Sequence, residues 1–431
     1  MSNSSLTNSV RFALATASLA QLHSQSALAQ EQDKAAASEN DSMEEVIVTG
    51  SRVRRVDSES ASPIITIDQA AIEKTGVTTA GDLLQRLPTV SGAATNPAVN
   101  NGGGFGEANV ELRGLDAKRT LVLLNGRRLG LVGASDATDI NLIPVNLIER
   151  VDVLKEGAGA IYGSDAIAGV VNLRLRDARD GGDVSLTYGE YDTTVETERG
   201  QRDASDGGTM TASGWVGLPL GEEGFLTLSG EYRDRDPTSR GDFDNRVPGS
   251  PVTSRYGDGQ MEDITAYVNA GVPFENDWTI YGWAGYQQRE GNSAAFPRIF
   301  NDARNVPAIY PNGFLPLITS DIDDLALGWG LRGKLGGGDT DISLVYGKND
   351  IHYGVEDSLN TSFGAASQTS FDAGGMTYDQ LTFNAGMVRG FDWGLAEPVN
   401  LAFGVEYRWE TYEIEAGEPA SCELPKVYSY Q

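Results

Sequence analysis

Histidine and cysteine, the side chains that most often carry catalysis or bind metals, are scarce in this chain of 431 residues. The histidines are His23 and His352, and the one cysteine is Cys422. Serine and carboxylate side chains are plentiful, but a Ser-His-Asp triad needs a histidine beside them, and His352 lies in a predicted strand. A His-ligated metal or haem site needs further ligands. We therefore expect no enzyme, no metal site, no cofactor and no intrachain disulfide.

One glycine-rich segment has residue types that can bind the phosphates of a dinucleotide. Gly157-Ala-Gly-Ala-Ile-Tyr-Gly163 follows a predicted strand and precedes a predicted helix, as such fingerprints do. However, Tyr162 occupies the third glycine position, and no βαβ unit of the required length follows. The segment therefore favours a structural turn over a nucleotide site.

The charge balance argues against a nucleic-acid partner. Asp and Glu number 61 against 33 Lys and Arg, which gives a net charge of −28. Proteins bind phosphate backbones through clusters of Lys and Arg. A chain with so large an excess of acidic residues is not expected to contain such clusters. Cationic ligands, or loops that hold divalent cations, remain compatible with this charge. The sequence also has no run of about 18 apolar residues, so any membrane crossing must use strands.

The glycine-rich segment belongs to a longer pattern. Residues 148–172 read as a short strand, a glycine-rich turn, a small-residue helix and a second strand. Upstream lie Glu44-Glu-Val-Ile-Val-Thr-Gly50, Val110-Glu-Leu-Arg-Gly-Leu115 and Arg119-Thr-Leu-Val-Leu-Leu-Asn-Gly-Arg-Arg128. In this order the segments resemble the TonB box, plug core and plug end of TonB-dependent outer-membrane receptors. The resemblance covers residues 44 to about 415, and it is specific in the plug and generic in the barrel wall.

The resemblance implies an α/β plug domain followed by antiparallel transmembrane β-barrel strands. Arg11 is the one charge before a mild apolar stretch, and Ala27-Leu-Ala29 fits a small-x-small cleavage site. The alternative for these residues is a disordered tail rich in Ser and Ala. The expected segments are a signal peptide (1–29), a flexible periplasmic tether (30–43), the TonB box (44–50), the plug (51–176), the N-terminal part of the barrel (182–415) and an irregular, aberrant tail (416–431).

By resemblance, residues 44–50 bind the C-terminal domain of TonB, which the proton-motive complex of ExbB and ExbD drives. Val46, Ile47 and Val48 have high β-propensity, so an extended segment here can add a strand to a partner's sheet edge. The alternative is an ordinary first strand of the plug. The expected TonB-binding residues are Glu44, Glu45, Val46, Ile47, Val48, Thr49 and Gly50.

Loops that resemble the apex of a plug supply candidate ligand contacts. Asn101, Phe105 and Asp136 lie in these loops, and in the family such loops face outward and touch ligand. Asn109 and Asp139 are also polar enough to meet a hydroxylated ligand. The alternative is a set of flexible loops without a specific role.

Three charged residues match positions where plugs of this family carry charges against the barrel wall. They are Arg113, Glu149 and Arg150. Because a buried charge must be paired, these residues are candidate latches that hold the plug until it is pulled. The alternative for each residue is a surface salt bridge.

Local patterns predict the elements of the plug. Leu83, Leu84 and Leu87 share one side of an expected helix that Pro88 ends. Asn125-Gly126 is a strong hairpin signal, since both residues tolerate positive φ. The predicted elements are strands at 63–67, 121–124 and 151–154, a helix at 78–87 and a short helix that opens at Pro144.

The barrel part shows alternation of apolar and polar residues, most clearly from Leu401 to Glu410, which places an apolar face on lipid and a polar face on the lumen. Short turns alternate with long polar loops, as in outer-membrane barrels; the alternative is a soluble β-sandwich. Nine strands are expected near 183–191, 208–219, 225–235, 262–274, 278–289, 325–335, 340–352, 378–390 and 398–415. Short turns are expected near 221–224, 275–277, 336–339 and 392–397, and long loops near 192–207, 236–261, 290–324 and 353–377.

Nine strands cannot enclose a plug of this size. A plugged lumen is associated with about 22 strands, and each unpaired backbone group at an open edge in lipid costs several kcal/mol. The sequence therefore predicts a fragment that lacks about 13 strands, on the order of 300 to 400 residues.

The expected function is TonB-dependent import of a scarce nutrient across the Gram-negative outer membrane, with the plug gating the barrel and the N-terminus in the periplasm. The nutrient classes left open are a carbohydrate, cobalamin or an iron chelate. The expected partners are TonB, the small ligand and outer-membrane lipid. The alternatives are a non-transporting remnant of such a receptor and a soluble periplasmic binding module.

Overall fold

The computed structural model describes residues 64–91, 98–99, 106–130, 137–155, 159–395 and 398–422. The expected signal peptide, tether and TonB box (Glu44 to Gly50) lie outside these residues, and so do Asn101, Phe105 and Asp136. Among the described residues, no helix is both long enough and apolar enough to cross a membrane.

A five-stranded sheet forms the centre of an α/β domain in the described residues up to 176, with strand order β1-β5-β6-β3-β4. All neighbours in it are antiparallel except the pair β3 and β6. Strand β3 is buried along its whole length, in keeping with its apolar run from Leu121 to Leu124. The strands are β1 Ile64–Asp68, β3 Thr120–Leu124, β4 Arg127–Arg128, β5 Ile148–Leu154 and β6 Gly169–Leu175, and the short strand β2 is Ala98–Val99.

Two helices follow β1. Helix α1 (Gln69–Thr75) begins where the Asp68 side chain accepts a hydrogen bond from Ala71 N, and it ends at Gly76 with a φ of 65°. Helix α2 (Ala80–Gln85) is capped by Thr79 and buries Leu83 and Leu84. The prediction of a helix at 78–87 is confirmed. Helix α1 was missed because it buries one side chain, Ile72, and leaves no apolar periodicity.

The predicted hairpin turn at Asn125-Gly126 is confirmed. The two residues have φ values of 51° and 77°, and they join β3 to β4. Asn125 Oδ1 accepts from Leu175 N at 2.9 Å, and Asn172 Oδ1 accepts from Gly126 N at 2.9 Å. The hairpin is therefore tied to β6 by side-chain hydrogen bonds as well as by β pairing.

The small-residue helix in the 148–172 pattern is present as α3 (Gly159–Tyr162), and the short helix after Pro144 is a single 3₁₀ turn. The strand predicted at 151–154 is β5, which begins three residues earlier. The short 3₁₀ helices of this domain are Ala117–Arg119, Ile140–Leu142, Val145–Leu147 and Ser164–Ala166.

In the described part of the chain, nine long strands form one antiparallel sheet, here called the large sheet. Its strand order is β18-β17-β16-β15-β12-β11-β9-β8-β7, so β7 and β18 are its ends. The strands are β7 Gly182–Thr197, β8 Gly200–Leu220, β9 Gly224–Arg235, β11 Gln260–Phe274, β12 Trp278–Ala294, β15 Leu317–Leu335, β16 Gly338–Glu356, β17 Phe371–Phe391 and β18 Val399–Ala416. All nine predicted strands are therefore present.

The loops of the large sheet differ in part from the prediction. The four short turns lie where they were expected. The prediction of a long loop at 192–207 is wrong, because β7 and β8 extend through this segment and leave a two-residue connection. Both faces of this hairpin are polar, so no apolar alternation marks it as strand. The other long connections contain short strands, namely β10 Gly257–Asp258, β13 Arg298–Ile299 and β14 Gly313–Phe314, and a 3₁₀ helix at Thr361–Ala366.

The tail expected to be irregular contains a short helix, α4 (Pro419–Cys422), and the residues after it lie outside the described part. Proline is favoured at the first position of a helix because its φ is already helical, which explains this start.

The large sheet exposes apolar side chains on its outer face and buries polar side chains on its inner face, which is the reverse of a water-soluble protein. Apolar side chains such as Ile264, Leu327 and Trp329 are exposed on the outer face. Polar side chains such as Thr227 and Gln287 are buried on the inner face. The apolar series that begins at Leu401 in β18 is likewise exposed. An apolar outside and a polar inside are the pattern of a membrane β-barrel wall.

Candidate functional site

The α/β domain packs against the inner face of the large sheet, and charged side chains are buried where the two meet. Arg233 on β9, Asp263 on β11 and Arg289 on β12 are 2%, 0% and 0% exposed. An ion taken out of water is costly unless it is paired and hydrogen-bonded. Three buried charges at this contact make it the candidate functional site.

Strand register places the three charges in one row. Asp263 lies directly opposite Arg233 on one side and Arg289 on the other. Arg233 donates from Nε and Nη2 to Asp263 Oδ2 at 2.9 and 2.7 Å. Arg289 donates from Nε to Asp263 Oδ1 at 2.6 Å. Opposite charges in facing positions stabilise a pair of strands. Because this row holds two guanidinium groups and one carboxylate, it carries one uncompensated positive charge.

Asp139 of the α/β domain supplies a compensating negative charge. Its Oδ2 accepts from Arg289 Nη1 at 2.8 Å, across 150 positions of sequence. Its Oδ1 accepts from the backbone N–H groups of Ala108 at 2.8 Å and Asn141 at 2.9 Å. The carboxylate is thus oriented by its own domain, and the guanidinium is oriented by the sheet. We call Asp139, Arg289, Asp263 and Arg233 the ionic latch.

Asn141 reinforces the ionic latch. Its carbonyl oxygen accepts from Gln287 Nε2 at 3.2 Å, and Gln287 Oε1 accepts from Arg289 Nη2 at 2.8 Å. The Asn141 side-chain Oδ1 accepts from Gly81 N at 3.0 Å, and the Asn141 Nδ2 donates to Gly106 O at 3.0 Å. Asn141 therefore connects the start of α2 to the large sheet.

A second ion pair joins the β3–β4 hairpin to the sheet. Arg127 pairs with Asp341 on β16, and the Tyr281 hydroxyl on β12 donates to both Asp341 oxygens at 2.9 and 3.0 Å. Burial lowers the pKa of Arg127, but Tyr281 and Asp341 outweigh it and hold that pKa above its usual value. The guanidinium therefore stays charged in the interface.

A third contact lies at β18 and is more exposed. Asp165 Oδ2 accepts from Arg128 Nη1 at 2.6 Å and from Arg408 Nη1 at 3.3 Å. The Asp165 side chain is 37% exposed. Burial raises the pKa of this carboxyl, but the two guanidinium groups outweigh it and set the pKa below its usual value. Asp165 thus bridges the domain and the sheet as a carboxylate.

A cavity of about 710 Å³ separates the β3–β4 hairpin from the inner face of the sheet near its short turns. Arg127, Arg174, Arg332 and Asn384 are among the residues that line it. Its volume falls within the roughly 300–1,000 Å³ of small-molecule sites. Among the described residues, no group of three or more His, Cys, Asp and Glu side chains is arranged to hold a metal ion.

Two of the three predicted latch residues, Arg113 and Arg150, make side-chain contacts inside the α/β domain. Arg113, which has a φ of 59°, donates to Ala168 O at 3.2 Å and to Ile167 O at 3.1 Å. Arg150 Nε lies 3.1 Å from Asp152 Oδ1. Burial raises the pKa of Glu149, and the Asp177 carboxylate adds to the rise. The latch role of Arg113, Glu149 and Arg150 stays a prediction, as do the TonB-binding and ligand-contact roles of residues outside the described part.

The expectation that Asp139 meets a ligand is wrong, because its carboxylate is buried against Arg289. Sequence reasoning also missed Arg233, Asp263 and Arg289. The local signal was weak: Arg233 and Asp263 each have one apolar outward neighbour, Tyr232 and Ile264, whereas Arg289 lies between Gln288 and Glu290. Their mutual contact was not visible, because it depends on the register between strands.

Comparison with known proteins matches residues 56–170 to the TonB-dependent Receptor Plug Domain family. Solved structures extend the likeness to the large sheet. The siderophore receptor PirA from Pseudomonas aeruginosa is 14% identical with a TM-score of 0.55, over 84% of this chain and 51% of that one. A mutant of the ferric enterobactin receptor PfeA from the same organism is 18% identical with a TM-score of 0.57, over 84% and 50%. The ferric yersiniabactin uptake receptor FyuA from Yersinia pestis is 13% identical with a TM-score of 0.51, over 84% and 62%.

These likenesses identify the α/β domain as a TonB-dependent receptor plug and the large sheet as part of a barrel wall. The predicted fold class, a plug followed by antiparallel barrel strands, is confirmed. The chain spans about half the length of the first two solved receptors named above.

Proposed function

We propose that this chain is the plug-bearing part of an energy-coupled importer in the outer membrane, and that its cargo is an iron chelate. The observation that carries the proposal is the plug itself, seated on the polar inner face of the sheet and joined to it by the ionic latch. A domain in this position obstructs the space that the wall encloses. Transport then requires the plug to move, and movement requires work against buried ion pairs.

The names of similar solved proteins support the choice of cargo. PirA is described as a siderophore receptor, PfeA as a ferric enterobactin receptor and FyuA as a ferric yersiniabactin uptake receptor. Among the three nutrient classes that the sequence left open, these relatives favour the iron chelate over the carbohydrate and cobalamin. The function involves binding and gated passage, and it requires no catalytic group.

The proposed source of work is TonB, which would bind residues 44–50 by strand addition and be driven by ExbB and ExbD. The position of β1 supports this route. Among the described strands, β1 lies at an edge of the plug sheet and pairs with β5 alone. A pull transmitted through residues 51–63 would therefore load the edge of the plug sheet before its centre.

The test is uptake of radiolabelled ferric enterobactin and ferric yersiniabactin by iron-starved cells that make the protein from its own gene. Deletion of residues 44–50 should abolish uptake and leave binding at the cell surface intact, because the ligand site is separate from the TonB contact. A deletion of seven residues within the tether, 33–39, is the matched control and should retain uptake. Uptake that persists without residues 44–50, or that ignores a protonophore, would refute the proposal.

A further inference from the structure

We propose that Asp324 on β15 is a standby partner for Arg289, with which it pairs when the plug withdraws Asp139. The inference rests on the proposed import function, because that function requires the plug to move. It gives Asp324 a positioning role in gating: the wall itself supplies the negative charge that the departing plug takes away.

Two side chains of the wall each lose an acceptor when the plug leaves. Arg289 Nη1 donates to Asp139 Oδ2 at 2.8 Å, and Gln287 Nε2 donates to Asn141 O at 3.2 Å. Arg289 and Gln287 are 0% and 1% exposed. A buried donor without an acceptor is costly, and a buried cation without a counter-charge is costlier still. Release of the plug is therefore opposed unless the wall offers another acceptor.

Strand register places Asp324 beside both donors. Asp324 lies directly opposite Gln287 in the pairing of β12 with β15. Arg289 lies opposite Ile322 in the same pairing, so Asp324 is its diagonal neighbour on the inner face. Diagonal neighbours are about 7–8 Å apart, which is within reach of a long side chain such as arginine. One carboxyl group can therefore accept from both donors without any change in strand pairing.

Asp324 has spare acceptor capacity while the plug is docked. Its side chain is buried, and within the described part of the chain it forms no ion pair. Asn349, its opposite neighbour on β16, donates from Nδ2 to Asp324 Oδ1 at 2.7 Å. A carboxylate has about four acceptor positions, so this contact can persist while further donors are accepted. By contrast, Asp263 already accepts three hydrogen bonds from Arg233 and Arg289.

The charges around Asp324 favour the new pair once the plug has gone. Glu107 and Asp139 are plug carboxylates close enough to repel a negative charge on Asp324, whereas Arg289 of the wall attracts it. Withdrawal of the plug removes both repelling groups and leaves the attracting one in place. The same movement that frees the Arg289 guanidinium therefore makes Asp324 a better partner for it.

The first test is the direction in which one substitution shifts plug release. Asp324→Asn keeps an oxygen for Asn349 but offers the freed guanidinium no charge, so it should raise the urea midpoint for release from the purified protein by ~0.5 M. A residue that only supports the wall would lower the midpoint when replaced. Glu231→Gln is the matched control, because Glu231 is a buried carboxyl on the same face beside Arg233. It should leave the midpoint unchanged. A lowered or unchanged midpoint for Asp324→Asn would overturn the proposal.

The second test separates pairing with Arg289 from mere relief of repulsion by the plug carboxylates. Asp324→Asn is made in an Arg289→Gln background, where no guanidinium can change partner. If Asp324 acts through Arg289, the rise in midpoint should disappear in this background. A rise of the parental size would show that repulsion alone causes it, and would overturn the proposal.

The third test observes the pair directly, in the structure of the purified Asp139→Ala variant. An Arg289 guanidinium nitrogen should lie within ~3 Å of an Asp324 carboxyl oxygen, because the plug no longer supplies an acceptor. A guanidinium that stays turned toward residue 139 would contradict the standby role. None of the three tests uses transport, so each decides the role of Asp324 even if the import function fails.

Discussion

Arg289 on β12 and Asp139 in the plug form an ion pair with an Nη1–Oδ2 distance of 2.8 Å, and their side chains are 0% and 6% exposed. The wall presents a guanidinium already fixed by Asp263, and the plug presents a carboxylate already fixed by Ala108 N. Because both partners are oriented before they meet, little side-chain freedom is lost when the plug docks. The same pair is expensive to break because both groups are buried, so it stabilises the docked plug.

Replacement of Arg289 by methionine should destabilise plug docking strongly. Asp139 and Asp263 would remain buried with too few cationic partners, and such a break costs about 3–5 kcal/mol. The measurement is the urea midpoint for plug release from the purified protein in detergent. The control is Arg246→Met. Arg246 also pairs with an aspartate at 2.7 Å but is 66% exposed, so its loss should change little. Equal effects of the two substitutions would show that burial of the latch is unimportant.

Two glycines of the plug should respond in opposite ways to alanine. A Cβ at Gly81 would lie 2.7 Å from Ala108 Cβ and 3.1 Å from Asn141 Oδ1, so Gly81→Ala must displace the Asn141 contact to the sheet. We expect a loss of about 1–3 kcal/mol in plug stability, as for other overpacked sites. Gly159 in α3 has open space around its Cβ position, so Gly159→Ala should be neutral or slightly stabilising. Thermal unfolding of the two variants tests the contrast, which fails if Gly81→Ala unfolds at the parental temperature.

A row of carboxylates on the outer face of the large sheet should weaken the sheet at low salt. Glu290 lies directly opposite Glu262 on β11 and Asp321 on β15, and Glu262 lies opposite Asp234. Like charges in opposite positions destabilise strand pairs, so Glu290→Gln should stabilise by about 0.2–1 kcal/mol.

The matched control for this row is Glu413→Gln, since Glu413 lies opposite Thr377 in the pairing of β17 with β18. Melting temperatures are compared in 20 mM and 1 M salt. The gain from Glu290→Gln should fade at high salt, where the charges are screened. A gain that is equal at both salt concentrations would exclude charge repulsion as its cause.

The contact between Asp165 and Arg408 should loosen in acid. Burial works against the Asp165 charge, but Arg128 and Arg408 lower the pKa of its carboxyl below the usual 3.8. A carboxyl with a lowered pKa stabilises the folded state above its unfolded pKa, and this stabilisation is lost as pH falls through the folded pKa. Protease sensitivity of the plug between pH 5 and pH 2 measures the loss. Asp165→Asn should be more sensitive than the parent at pH 5 and equal to it at the acid end. An unchanged difference across this range would contradict the role of the carboxylate.

The sequence predicted the strands of the large sheet well because one physical signal defines them. Apolar side chains at every second position face outward, and Leu401, Phe403 and Val405 show that signal without interruption. The hairpin of β7 and β8 was missed where both of its faces are polar. Helix α1 was missed because it is short and buries Ile72 alone among its residues.

The ionic latch was beyond reach from sequence. Arg233, Asp263 and Arg289 are separated by 30 and 26 positions, and a slip of one residue in either strand pair would turn one of them to the outer face. Asp139 lies another 124 positions before Asp263, and its role depends on how the plug is rotated inside the wall. Neither register nor rotation is encoded in local residue patterns, so charged residues in the plug could be noted as latch candidates but not paired with partners.

The most direct test of the Asp139–Arg289 pair as the link between plug and wall is a double-mutant cycle. The free energy of plug release is measured by urea titration for the parent, Asp139→Asn, Arg289→Gln and the double variant. If the two residues hold the plug through their pair, the two effects should be non-additive by about 1–3 kcal/mol. Additive effects, with a coupling energy near zero, would contradict the central claim that this pair joins the plug to the wall.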